Sequence, residues 1–142
     1  MFRQISVFLE NKKGKLAEVT GVLAENNIDM WAISIADTTN FGILRIIVDD
    51  PEKAVEVLKD AGYPVNTTEV LAVEVSDRPG GLHQVLNILS NEDISIEYLY
   101  SFVRRPEEMA LILFKVDRLN DATDILKRAG INVITNDQVY DL

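Results

Sequence analysis

The chain has 142 residues, 47% of them hydrophobic and 26% charged, which suits one globular domain or two small ones. A net charge of −9 disfavours a nucleic-acid binder, which needs a basic surface to neutralise phosphates. The absence of cysteine excludes disulfides, thiolate nucleophiles and Cys-based metal sites. No apolar run approaches the roughly 20 residues of a membrane span. We therefore expect a cytoplasmic protein with no nucleic-acid or membrane partner.

The first half of the chain alternates strand and helix patterns. "QISVFLE" (4–10) has apolar residues at every second position, which is typical of a half-buried strand. "DPEKAVEVLKDAG" (50–62) predicts a helix, because Asp50 can cap it, Pro51 suits its first position and Gly62 can end it. A further helix is predicted at 16–23, followed by two strands at 28–35 and 42–48. A last strand, at 63–70, follows the second helix.

The second half repeats the first. "AVEVLKDAG" (54–62) and "ATDILKRAG" (122–130) share five of nine residues, and "GKLAEVTGVLAENNI" (14–28) aligns with "GGLHQVLNILSNEDI" (80–94). A two-residue insertion near "VRRPEEM" (103–109), which reads as a solvated hairpin loop, accounts for the different offsets of the two matches. Self-similarity of this kind indicates a tandem duplication.

Each copy has the element order β-α-β-β-α-β, that of the split βαβ or ferredoxin-like unit. The predicted fold is therefore α+β, with two such domains in tandem at residues 1–69 and 70–142. In this unit two helices cover one face of a four-stranded antiparallel sheet. Because about 70 residues make a small core and open sheet edges need partners, we expect the two sheets to pair side by side.

"SDRPGG" (76–81) stands at the junction of a strand pattern and a helix pattern in the second copy. Two glycines and a proline at such a junction can form a tight turn and nothing more. They can also leave backbone N–H groups open to bind an anion at a helix start. The residues alone leave both interpretations open.

The longer stretch "SDRPGGLHQVLNILSNEDISI" (76–96) resembles the loop–helix–strand motif of ACT domains, which are regulatory modules that bind amino acids. That motif has an Asn or Asp, an Arg-Pro-Gly, a Leu, an apolar helix and a short polar residue early in the second strand. The resemblance covers both halves, and the arrangement is similar to stand-alone tandem ACT proteins without a catalytic domain. The first copy departs from the motif, since Lys13 stands where the second copy has Pro79.

The resemblance implies ligand-binding residues in the first loop and the second strand of each copy. In the first copy they are Asn11, Lys13, Gly14, Lys15, Leu16, Asp29 and Met30. In the second copy they are Asp77, Pro79, Gly80, Gly81, Leu82, Ser95 and Ile96. Gly80 has no Cβ, so a ligand can approach its backbone closely. The start of the helix that follows suits an α-carboxylate.

The sequence carries no nucleophile–base pair, phosphate-binding loop or metal-ligand cluster, and His83 has no partner acid or serine. We expect no enzyme activity, cofactor or metal. The predicted function is a regulatory protein that binds a small amino acid and acts on a partner enzyme or regulator, or as a homodimer. The alternative is an ACT-type assembly scaffold without a functional pocket. A partly buried Asp29 close to Trp31 would favour a cationic amino acid such as histidine.

Overall fold

The computed structural model describes residues 1–37, 40–103 and 109–135. The chain divides into two compact units: a first unit of residues 3–68, and a second unit of residues 69–142 together with Met1 and Phe2. Each unit is described by itself below. The domain bounds taken from the repeat, 1–69 and 70–142, stay a proposal.

The order and types of the elements follow the periodic patterns of the sequence. The first six elements are β1 (Phe2–Glu10), α1 (Lys15–Glu25), β2 (Met30–Asp37), β3 (Phe41–Val48), α2 (Pro51–Asp60) and β4 (Val65–Ser76). The next five are α3 (Gly81–Asn91), β5 (Ile96–Ser101), β6 (Met109–Val116), α4 (Leu119–Arg128) and β7 (Val133–Ile134). Strand β4 contributes residues to both units, because the division falls within it.

The first unit is built on an antiparallel sheet with the strand order β2-β3-β1. Ile46 at the centre of β3 faces Ile5 of β1 and Ile33 of β2. The Phe8 amide of β1 donates a hydrogen bond of 3.0 Å to the carbonyl of Pro64, just before β4 begins. The start of the fourth strand is thereby tied to the first strand, as the split βαβ arrangement requires.

The second unit has the same antiparallel arrangement, with the strand order β4-β6-β5 and with β7 paired to β4. Phe114 at the centre of β6 faces Leu71 of β4 and Leu99 of β5. The last predicted strand and the predicted loop near 103–109 lie partly outside the described residues. The α+β class with two ferredoxin-like units is confirmed.

Each core lies between the two helices of a unit and one face of its sheet. In the first unit the fully buried helix residues are Val19, Leu23, Ala54 and Leu58. In the second unit the equivalent residues are Val85, Leu89, Ala122 and Leu126. Full burial of one Val or Leu side chain stabilises a fold by about 1.5–3 kcal/mol. The spacing of apolar residues along the helices repeats in the sequence because the two units bury the same helix positions against their sheets.

Gly81, the first residue of α3, allows this helix to begin very close to the strand before it. A Cβ built on Gly81 would overlap the backbone carbonyl of Ser76 at the end of β4. By contrast, a Cβ on Gly21 in the middle of α1 would meet no atom within 4 Å. Position 81 therefore requires glycine because there is no room for a Cβ.

We expect Gly81→Ala to lower the free energy of unfolding by about 1–3 kcal/mol, because a backbone carbonyl must move to admit the methyl group. Gly21→Ala is the matched control and should raise it by about 0.5–1 kcal/mol, since alanine is the better helix former and its Cβ has room. Urea denaturation of the full chain measures both. Equal stability of the Gly81 variant and the wild type would contradict the close approach.

The start of α2 confirms the cap that the sequence predicted. The Asp50 carboxylate accepts a hydrogen bond of 3.2 Å from the Lys53 amide, and Pro51 occupies the first helical position. Arg118 takes the equivalent place before α4, where its guanidinium instead donates to carbonyls at the end of α3. The repeat therefore preserves the helix, but the side chain that caps its start in the first unit has no counterpart among the described residues of the second.

We expect Asp50→Ala to destabilise the protein by about 1 kcal/mol, because the capped amide loses its acceptor. Asp60→Ala makes the same chemical change at the last residue of the same helix. There a carboxylate opposes the helix dipole, so its removal should leave stability unchanged or slightly raised. Equal losses for the two variants in urea denaturation would show that the cap contributes nothing.

Candidate functional site

The loop between β1 and α1 is a tight turn closed by backbone hydrogen bonds. The Lys12 amide donates to the Glu10 carbonyl at 2.8 Å, and the Lys15 amide donates to the Lys12 carbonyl at 3.3 Å. Gly14, the residue before α1, has a φ of +87°, a left-handed conformation that favours glycine. Within the described residues no side chain caps this helix.

The loop between β4 and α3 repeats this turn. The Arg78 amide donates to the Ser76 carbonyl at 2.9 Å, and the Gly81 amide donates to the Arg78 carbonyl at 3.0 Å. Gly80 has a φ of +88°, and α3 likewise has no side-chain cap among the residues described. Lys13 in place of proline therefore leaves the loop backbone of the first copy with the same hydrogen-bond pattern.

The first unit has a cavity of about 280 Å³ beside its loop, which we call the first cavity. It is lined by the end of β1 (8–10), Lys15 of α1, Phe41 of β3 and the turn before β4 (62–64). The lining residues include a cation, Lys15, a carboxylate, Glu10, and the aromatic residues Phe41 and Tyr63.

The second unit has a cavity of about 210 Å³ at the equivalent place, which we call the second cavity. Its lining comes from β4, the first turns of α3, Met109 of β6 and the turn before β7 (130–132). Gly81 lines it where Lys15 lines the first cavity. The duplication has thus kept a cavity in each unit and changed the side chains that line it.

Three side chains at the mouth of the first cavity form a polar network. The Tyr63 hydroxyl donates to the Glu18 carboxylate at 3.0 Å, and the Lys15 ammonium lies 3.4 Å from the same oxygen. Desolvation, reinforced by Glu18, raises the pKa of Tyr63 above its ordinary value. The hydrogen bond from Tyr63 and the nearby Lys15 lower the pKa of Glu18. At neutral pH the network therefore presents a cation, an anion and a neutral hydroxyl.

Glu10 supplies a second carboxylate at this cavity. Its oxygen lies 2.8 Å from the Lys12 ammonium, which lowers the pKa of Glu10 through a hydrogen bond and charge attraction. Both side chains are mostly exposed. Surface ion pairs of this kind contribute about 0–1 kcal/mol to stability, so the two groups can separate at little cost.

The predicted second-strand residues lie away from the loops within each unit. In the first unit Met30 is level with Val48, whereas Gly42, at the opposite end of β3, is level with Leu9 beside the loop. This follows from the path of the chain, because α1 returns to the far end of the sheet before β2 begins. Within one unit, Asp29 and Met30 therefore do not share a site with the loop residues.

The start of the second strand is instead held by a structural contact in both units. The Asp29 amide donates to the Asp49 carboxylate at 3.0 Å, and the Ser95 amide donates to the Asp117 carboxylate at 3.1 Å. Asp29 is exposed, so the expectation of a partly buried carboxylate at this position is wrong. Trp31 is only 4% exposed, so its side chain packs inside the protein.

The remaining predicted residues fall into two groups. Asp77 lines a further open cavity of about 370 Å³ together with Ser76, Arg78 and Met109. Those of the loops and second strands that line none of the three cavities are Asn11, Lys13, Gly14, Leu16, Asp29, Met30, Pro79, Gly80, Leu82, Ser95 and Ile96. Sequence reasoning missed Glu10, Phe41 and Tyr63, although the repeat aligns them with lining residues of the second cavity.

No helix among the described residues is long and apolar enough to cross a membrane. In the same part of the chain, no group of three or more His, Asp or Glu side chains could hold a metal ion.

Comparison with known proteins places the chain in a family. The family model described as an ACT domain pair matches residues 1–142. No curated protein matches the chain. The crystal structure of protein BT0572 from Bacteroides thetaiotaomicron is 40% identical over 99% of this chain and 96% of that one, with a TM-score of 0.92.

More distant structures share the fold. The ligand-free regulatory subunit of aspartate kinase from Thermus thermophilus is 16% identical over 90% of this chain and 92% of that one, with a TM-score of 0.68. The regulatory subunit of aspartate kinase from Thermus flavus is 16% identical over 89% and 91%, with a TM-score of 0.62. Together with the loop geometry in both halves, the family match shows that this chain belongs to the ACT domain pair family.

Proposed function

We propose that this chain is a non-catalytic regulatory protein that binds a small amino acid at its ACT units. Binding would be transmitted to a partner enzyme or regulator, or through a homodimer. The observation that carries the proposal is the repetition, in both units, of the same glycine turn at a helix start with a cavity beside it. We also propose that the protein acts in the cytoplasm without a cofactor.

The loop geometry supports an amino acid as the ligand. Gly14 and Gly80 each precede a helix whose first amides have no side-chain cap in the described structure. Such a helix start carries a partial positive charge and suits a carboxylate. The first cavity, at about 280 Å³, is near the lower end of the size range of small-molecule pockets, about 300–1,000 Å³.

Solved structures of similar fold support a regulatory role. Two structures of similar fold are, by their descriptions, regulatory subunits of aspartate kinase. By analogy, the partner of this chain would be an enzyme of amino-acid metabolism. We propose no catalytic role, since the supporting relatives are regulatory subunits and His83 is exposed.

The alternative is an assembly scaffold whose cavities bind nothing. One observation favours it: the charged groups at the first cavity already have partners within the chain, Glu10 with Lys12 and Lys15 with Glu18. The preference for a cationic amino acid stays a prediction without its original support, since Asp29 is exposed. We do not include that preference in the proposed function.

A thermal-shift screen of the full chain against the twenty amino acids separates the two functions. We expect at least one L-amino acid to raise the midpoint, because a ligand at a hundredfold excess over its Kd stabilises the native state by about 2.7 kcal/mol. The D-enantiomer of the same amino acid is the control and should give a smaller shift. If none of the twenty shifts the midpoint, the scaffold is the better description.

A further inference from the structure

The two cavities occupy equivalent places, but their side chains differ in a way that bears on the ligand. We propose that only the first cavity binds the amino acid, and that its ligand is a zwitterion with an aromatic or large aliphatic side chain. Lys15 would bind the α-carboxylate and Glu10 the α-ammonium group. This inference rests on the proposed function and specifies which of its cavities is used and for which class of ligand.

The charges of the first cavity match those of a free amino acid. Lys15 and Glu10 both line it, so charges of both signs belong to residues around one small space. The Lys15 side chain is 35% exposed, and its contact with Glu18 is a long one of 3.4 Å. Charge-assisted hydrogen bonds in a partly enclosed site are stronger than such surface pairs. A bound zwitterion would therefore gain more from Lys15 and Glu10 than their present partners do.

Two aromatic residues account for the choice of ligand side chain. Phe41 and Tyr63 both line the first cavity. Phe41 is 52% exposed, so a ligand side chain resting on it would remove apolar surface from water. Aromatic rings favour other aromatic groups through edge-to-face and offset contacts.

Tyr63 is a positioning residue in this arrangement. Its hydroxyl donates to the Glu18 carboxylate, which also contacts the Lys15 ammonium. One carboxylate therefore restrains the positions of both side chains. A tyrosine hydroxyl is protonated in neutral solution, and the pKa of Tyr63 is raised further by desolvation, so this hydroxyl acts as a donor.

The second cavity lacks these groups. Gly81 and Ser76 stand where the first cavity has Lys15 and Glu10, and Met109 and Ile131 replace Phe41 and Tyr63. Its lining carboxylate, Glu74, accepts a short hydrogen bond of 2.6 Å from Asn132. Because a Cβ at Gly81 would overlap a backbone carbonyl, no cationic side chain can occupy that position without a change in the loop.

Isothermal titration calorimetry of the full chain with L-phenylalanine, L-leucine, glycine and L-aspartate tests the ligand class. We expect one site per chain, with phenylalanine or leucine tightest. L-Phenylalaninamide, which lacks the carboxylate, and N-acetyl-L-phenylalanine, which lacks the ammonium, should each bind about tenfold more weakly or worse. Tightest binding of glycine or aspartate would overturn the assignment of the side chain.

Variants test the assignment of the residues. Lys15→Met keeps the aliphatic stem and should weaken phenylalanine binding about tenfold or more while abolishing the preference for phenylalanine over its amide. Glu10→Gln should do the same for the preference over N-acetylphenylalanine. Tyr63→Phe should weaken binding less than either and leave both preferences in place. Lys53→Met on α2 and Gln84→Ala at the second cavity are controls and should bind as the wild type does.

The outcomes distinguish this inference from the proposed function. Two equal sites per chain, or unchanged affinity in Lys15→Met, would overturn the inference while leaving an amino-acid-binding protein. Loss of binding in Gln84→Ala alone would place the ligand in the second cavity and also overturn it. If no amino acid binds the wild type, both proposals fail.

Discussion

Each unit depends on burying two helix faces against one face of a small sheet. The first helix must therefore return along the strand that precedes it, and the chain has only a few residues in which to reverse. A left-handed glycine at position 14 or 80 makes this reversal possible, and the backbone hydrogen bonds around it are the same in both units. The position of the loop, and of the cavity beside it, follows from that turn.

Duplication kept this backbone while the side chains around it diverged. The buried helix residues of the two units correspond one for one, because a change of volume in a small core is costly. The residues at the cavity mouths are under no such constraint. Lys15 and Gly81 occupy the same place in the fold, yet one offers a cation and the other only a close backbone contact. A tandem protein of this kind can therefore have two equal folds and two unequal sites.

The charged groups at the first cavity are held by surface ion pairs. Glu10, Lys12, Lys15 and Glu18 form two ion pairs near the solvent. Surface pairs of this sort stabilise a fold only slightly, so exchanging one partner for a ligand costs little. Tyr63 is less exposed and fixes one of the carboxylates, which limits how far the network can rearrange. A ligand of the proposed kind would therefore compete for groups whose positions are already set.

The sequence by itself determined the elements, their order and the duplication, because strand and helix periodicity, the Asp50 cap and the glycine turns act over a few neighbouring residues. The family motif likewise located both loops. Only the tertiary structure decided which residues share a cavity. Tyr63 and Phe41 meet Lys15 across long stretches of chain, and Asp29 lies at the far end of the sheet from the loop. Such proximity depends on strand direction and helix packing, which local patterns constrain only indirectly.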